Sequence, residues 1–124
     1  MSALLWVALG SALGAPTRYL LDQLVQSRHD RVFPWGTLFV NVTGSFALGL
    51  LVALASRQGV DTWLVAAAGT GFLGSYTTFS TFTWETLRLV EEGAVLAAGL
   101  NVAVSIGAGA GAAAGGLFLG TALG

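Results

Sequence analysis

The chain contains no cysteine, no lysine and a single histidine, and only 9% of its 124 residues are charged. Without cysteine there can be no disulfide and no thiolate metal site. Five arginines face six carboxylates, the net charge is −1, and no basic cluster forms the phosphate-neutralising face that nucleic-acid binding needs. No nucleic-acid partner is expected. The lone His29 stands in the polar stretch Ser27-Arg28-His29-Asp30-Arg31, a loop where neither a metal nor a catalytic role is expected of it. No nucleotide-binding loop is found, and no acidic residue lies in the middle of an apolar run. Carboxylate rings that favour cations and the buried proton relays of coupled carriers are therefore missing. The chain is not expected to be an enzyme.

What it has in excess is apolar surface and glycine. Apolar residues make up 55%, glycine numbers 18, and the mean hydropathy is +0.78. Soluble domains carry roughly 25% charged residues and about 7% glycine. A small soluble fold could not hide this much apolar surface. Charge-poor windows run over residues 3–17, 32–56, 62–84 and 93–124, and about 20 apolar residues suffice to cross a bilayer. The first window extends through Tyr19-Leu20-Leu21 with Arg18 inside it, and Met1-Ser2-Ala3-Leu4 lacks the basic region of a signal peptide. The pattern predicts an all-α membrane protein: one domain, 1–124, with spans at approximately 3–24, 35–56, 62–87 and 94–122. Loops one and three carry Arg28, Arg31 and Arg88 against Arg57 in loop two, a bias slight enough to allow insertion either way round.

A four-helix subunit of this size is too slim to enclose an aqueous path, so oligomerisation is expected. In the last span Gly99, Ala103, Gly107, Gly111 and Gly115 recur every four residues, a small-residue stripe suited to close packing within the subunit or across an interface. Gly10 and Gly14 do the same in the first span. Polar residues also keep to one face: Thr37, Asn41 and Ser45 in the second span, Asn101 and Ser105 in the fourth. The latter pair lies about 200° round the helix from the stripe. Such groups either clamp helices together or line a pathway.

The third span is the least aliphatic. Glycines beside the β-branched Thr77-Thr78 weaken its helical continuity. A break in mid-membrane would free backbone carbonyls to line a cavity or bind a cation. Phe79 and Phe82 share a face beyond the break, and the edge of a phenyl ring is electropositive enough to meet an anion. The residues thus predict an oligomeric membrane protein with an anion-compatible polar track.

Three motifs give the track a family resemblance. Gly10-x-x-x-Gly14-Ala15-x-x-Arg18-Tyr19, Gly36-Thr37-x-x-Val40-Asn41-x-x-Gly44-x-Phe46-x-x-Gly49 and Gly71-Phe72-x-Gly74-x-x-Thr77-Thr78-Phe79-Ser80-Thr81-Phe82 resemble the Fluc (CrcB) fluoride channels. The resemblance implies an antiparallel, dual-topology homodimer in the cell (inner or plasma) membrane, exporting fluoride passively through two pores. It implies a sodium ion at the dimer centre on the backbone carbonyls of Gly74 and Thr77. It also implies pore roles for Asn41, Phe79, Phe82, Ser80 and Thr81, and a vestibule role for Arg18. Thr37, Asn101 and Ser105 join the expected fluoride pore from their helix faces. The sequence departs from the family at Leu73, Ser75 and Tyr76, and at Gly109, where the fourth-span polar row lacks a hydroxyl. A small dual-topology multidrug transporter, the main alternative, would need a glutamate embedded in the first helix, where only Asp22 stands near the end. A non-transporting membrane assembly protein would leave the polar third span without purpose.

Overall fold

The computed structural model describes residues 2–29 and 32–123, and within them every element is helical. Asp30 and Arg31, counted above among the charges of the first loop, lie outside the described residues. Helix α1 spans Ala3–Ser27, α2 Trp35–Gln58 and α6 Val95–Leu123, and these three are long and apolar enough to cross a membrane. Between α2 and α6 the chain is segmented. A turn of α-helix, α3 (Thr62–Leu64), runs into a π-helix (Val65–Leu73) and a second short turn, α4 (Gly74–Tyr76). Helical geometry then stops: Thr77 is extended, with φ −82° and ψ 156°, and α5 (Ser80–Glu91) begins three residues later. The helices overrun the expected span ends, α1 to Ser27 and α5 to Glu91, because backbone hydrogen bonding continues into the polar residues that follow each apolar run.

The ends are set by local chemistry. Gly59 follows α2 with φ +70°. After α5, Gly93 adopts φ +82°, its N–H donating to Val90 O (3.0 Å) and that of Ala94 to Leu89 O (2.8 Å). This paired closure satisfies the last carbonyls of α5 and turns the chain into α6.

Two helix pairs make the bundle: α1 lies against the π-helix and α2 against α6. Both contacts are backbone to backbone. A Cβ on Gly10 would strike Ala67 O, and one on Gly71 would strike Val7 O at 2.6 Å. Across the other pair, Gly49 faces Ala113 O and Gly116 faces Phe46 O. The stripe read from the fourth span behaves differently. Gly99, Gly107 and Gly111 have nothing within 4 Å, and α2 seats instead on Gly116 and Gly120. The packed face is displaced by one residue from Gly115, about 100° of helix rotation: a Cβ on Gly115 would make only ordinary contact with the Phe46 ring, at 3.9 Å, whereas one on Gly116 would strike the Phe46 carbonyl.

Little of the chain is fully enclosed. Val40, Leu73 and Tyr76 form the core, packed around by Leu21, Ala47 and Phe72. Leu13, Leu20, Leu96, Ile106 and Phe118 point outward. So broad an apolar exterior is what lipid contact requires and water would penalise.

Candidate functional site

The interruption after Tyr76 is held by side chains from two directions. Asn41 of α2 closes a reciprocal pair with the Thr78 backbone: the Thr78 N–H donates to Asn41 Oδ1 at 2.7 Å, and Asn41 Nδ2 donates to Thr78 O at 2.9 Å. Thr78 in turn caps the first turn of α5, its Oγ1 accepting the Thr81 N–H at 3.2 Å and donating to Thr81 Oγ1 at 3.1 Å. On the near side of the gap, Thr77 N–H and Oγ1 both donate to Leu73 O. Tyr76, buried and stacked on Phe72, shares a 2.8 Å hydrogen bond with Thr43 Oγ1. That hydroxyl donates to Phe39 O, so the tyrosine is the donor in the pair.

This bookkeeping releases two carbonyls. In a continuous helix the oxygens of Gly74 and Thr77 would accept the N–H groups of Thr78 and Thr81. Those donors go to Asn41 Oδ1 and Thr78 Oγ1 instead. Gly74 is exposed and Thr77 half-buried. Neutral carbonyl oxygens of this kind suit a hard monovalent cation, so the two residues expected to hold sodium fit that group chemically.

Beside the gap lies a cavity of about 300 Å³, whose polar lining comes from Asn41, Ser45, Thr77, Thr78 and Ser105. Phe79, Phe82, Leu48 and Ile106 supply the apolar walls, and no charged group lines it. The two phenyl rings stand 5.8 Å apart, tilted by 44°. Not every hydroxyl here can serve an anion, because most protons are already committed. Thr77 donates to Leu73 O, Thr78 to Thr81, and Ser105 to Asn101 Oδ1 at 3.2 Å. What remains is the second N–H of the Asn41 amide and the hydroxyl of Ser45, which has no hydrogen-bond partner among the described residues. The rings of Phe79 and Phe82, which line the cavity, bring electropositive edges to it as well. Ser80 and Thr81 join through Thr78, with Ser80 Oγ 3.4 Å from Thr78 Oγ1.

Other residues expected at the pore fall elsewhere. Asn101 is 1% exposed and sits behind Ser105, its Nδ2 donating to Thr86 Oγ1 of α5 at 2.8 Å. Thr37, two turns before Ser45, is buried near Glu85. Its Oγ1 and Glu85 Oε1 are both buried without a hydrogen-bond partner among the described residues. Toward that end a second, polar cavity of about 380 Å³ opens, lined by Asp22, Gln23, Gln26, Ser27, Glu85 and Arg88 among others. Its guanidinium is Arg88; Arg18 lies half-buried one turn before Asp22 and is not part of this lining. Arg88 also reaches Glu92 (3.3 Å) and lies 5.4 Å above the Trp84 ring. The spacing of three between Glu85 and Arg88 places both on one helix face, where they line this cavity together.

The chain matches the family model described as CrcB-like protein, Camphor Resistance (CrcB), over residues 5–117. A relative from Streptomyces avermitilis, named fluoride-specific ion channel FluC 1, is 50% identical over 119 residues, covering 96% of each chain. A protein of the same name from Frankia casuarinae is 51% identical over 124 residues, again with 96% of each covered. The fluoride-specific ion channel FluC of Shewanella woodyi is 44% identical over 106 residues, 86% of each. With its helices and polar cavity read alongside a match spanning nearly all of its length, the chain belongs to the CrcB family.

Proposed function

We propose that the chain is the subunit of a fluoride-selective channel that lets cytoplasmic fluoride leave passively. The observation that carries this reading is the uncharged cavity beside the helix gap, lined by amide and hydroxyl groups and by two phenyl rings. Fluoride is small and strongly hydrated. A pore that replaces its water must offer several donors, and must bind weakly enough to let the ion go. The names of relatives 44–51% identical along most of the chain support the same ion. With no carboxylate in either the gap or this cavity, the cycle needs no proton relay. The membrane potential suffices to drive an anion out of the cell.

The active form is an antiparallel homodimer inserted in both orientations into the inner or plasma membrane, with the gap at mid-membrane. A single subunit leaves Phe79 78% exposed and the cavity open on one side, which fits a pore completed by a second copy. A sodium ion on the released carbonyls of Gly74 and Thr77 would supply fixed positive charge at the dimer centre and hold the gaps of both subunits.

Purified protein in liposomes loaded with fluoride or chloride tests the channel reading: fluoride is released and chloride retained, and equal leakage of the two overturns it. Replacing sodium by a bulky organic cation during purification and assay tests the cation site. Fluoride release then falls, and unchanged release removes sodium from the reading while leaving the channel intact.

A further inference from the structure

Direction of donation along one half-buried row of hydrogen bonds has a consequence for the pore. Thr86 has one hydroxyl proton, and it goes to Phe82 O at 2.8 Å, since a carbonyl can only accept. Toward Asn101, at 2.8 Å, Thr86 Oγ1 must therefore accept, which places the Asn101 NH₂ on that side. The other end of the amide is then Oδ1, which cannot donate. Ser105, 3.2 Å away on the next turn of α6, must donate to it. The order Ser105 to Asn101 to Thr86 to Phe82 is thus fixed from its far end. Every proton in it points away from the cavity that Ser105 lines.

Fluoride also only accepts. We propose that Asn101 is not a pore donor but a buried competitor for the Ser105 proton, a positioning residue that sets how strongly Ser105 can bind the permeating anion. This inference rests on the fluoride-channel reading. An O–H···O contact of 3.2 Å lies beyond the usual range of 2.5–3.0 Å. Its hold is weak, and a fluoride arriving at Ser105 can draw the hydroxyl round while Asn101 keeps its bond to Thr86. When the ion leaves, Asn101 Oδ1 recovers the proton. Asn101 is 1% exposed, so it does this without touching the ion.

The test is the fluoride concentration giving half-maximal release from liposomes, measured for Asn101→Leu with either Ser105 or Ser105→Ala in place. Leucine keeps the volume and removes the acceptor. With Ser105 present, the half-maximal concentration falls about two- to threefold, below the worth of one ordinary neutral hydrogen bond, because the 3.2 Å bond is weak and the carbonyl four residues back can still take the proton for part of the time. With Ser105→Ala it does not change. A rise, no change in the presence of Ser105, or an equal shift on both backgrounds overturns the proposal. Should Asn101→Leu fail to assemble, Thr86→Val serves instead. It removes the oxygen that fixes the amide's orientation, and lowers the half-maximal concentration about twofold, since the amide then divides between its two orientations; no change or a rise overturns the proposal. Wild-type protein that releases no fluoride overturns the channel reading itself, independently of either variant.

Discussion

Asn41 on α2 binds both the N–H and the C=O of Thr78, at 2.7 and 2.9 Å, and so stands in for the helical partners that this residue has lost. One side chain both stabilises the gap and leaves an N–H for the cavity. The Asn41→Leu variant separates these roles from simple volume. Two backbone groups of a buried residue lose their partners, at about 1–3 kcal/mol each. The protein melts at lower temperature and fluoride release falls by more than tenfold. Release near the wild-type level in a folded variant would show that the cavity does not need this amide.

Tyr76 anchors the opposite side of the gap through its hydroxyl on Thr43 and its ring over Gly44, where a Cβ would meet Cδ2 at 3.1 Å. Tyr76→Phe keeps the ring and the stack on Phe72. The loss of one hydrogen bond costs about 0.5–1.5 kcal/mol, while Thr43 retains its bond to Phe39 O. Expected are a small drop in melting temperature and faster hydrogen exchange at the Thr77 and Thr78 amides. Exchange unchanged at both would mean that the phenol does not restrain the gap.

How far the sequence could be read depends on which signals are local. Helix boundaries near Gly59 and Gly93, and the loss of helicity at Thr77-Thr78, follow from residues whose backbone preferences act within a turn. The placing of Asn41, Phe79, Phe82 and Ser105 at one cavity follows from helical periodicity once the helices pack. What periodicity could not supply was the direction of each hydrogen bond. Asn101 and Asn41 look alike as polar residues on an inward face, yet one faces the cavity and the other is enclosed between α5 and α6. Thr37 illustrates a second limit: it shares a face with Asn41 but lies far enough along α2 to meet Glu85 instead. The glycine stripe of α6 was ambiguous for a third reason. Spacing identifies a smooth face but not what covers it.

That ambiguity can be tested on α6 itself. A methyl at Gly116 would collide with the Phe46 carbonyl, and backbone cannot yield cheaply, whereas one at Gly107 meets nothing within 4 Å. Gly116→Ala lowers the melting temperature and weakens α2–α6 packing. Gly107→Ala leaves the fold of the subunit intact, with a helix-propensity gain of up to ~1 kcal/mol. Thermal melts in detergent compare the two. If Gly107→Ala instead dissociates the dimer while each subunit stays helical, the open face is the subunit interface.

Gly109 offers a gain rather than a loss. It lines the cavity opposite Ser45, and a Cβ there comes no closer to it than 3.9 Å, so a small side chain fits. Gly109→Ser places one more hydroxyl one turn beyond Ser105, where the proton of Ser105 is committed to Asn101. In a helix, serine can return its proton to the carbonyl four residues back, here that of Ser105. The added donor is therefore available for part of the time, and the expected fall in half-maximal fluoride concentration is about two- to threefold, below the full value of one hydrogen bond. Stability holds or rises slightly, because serine is the better helix former. Measured release at matched protein density decides the matter: a half-maximal concentration equal to or above that of wild type would place the ion's path away from Gly109, on the Asn41 side of the cavity.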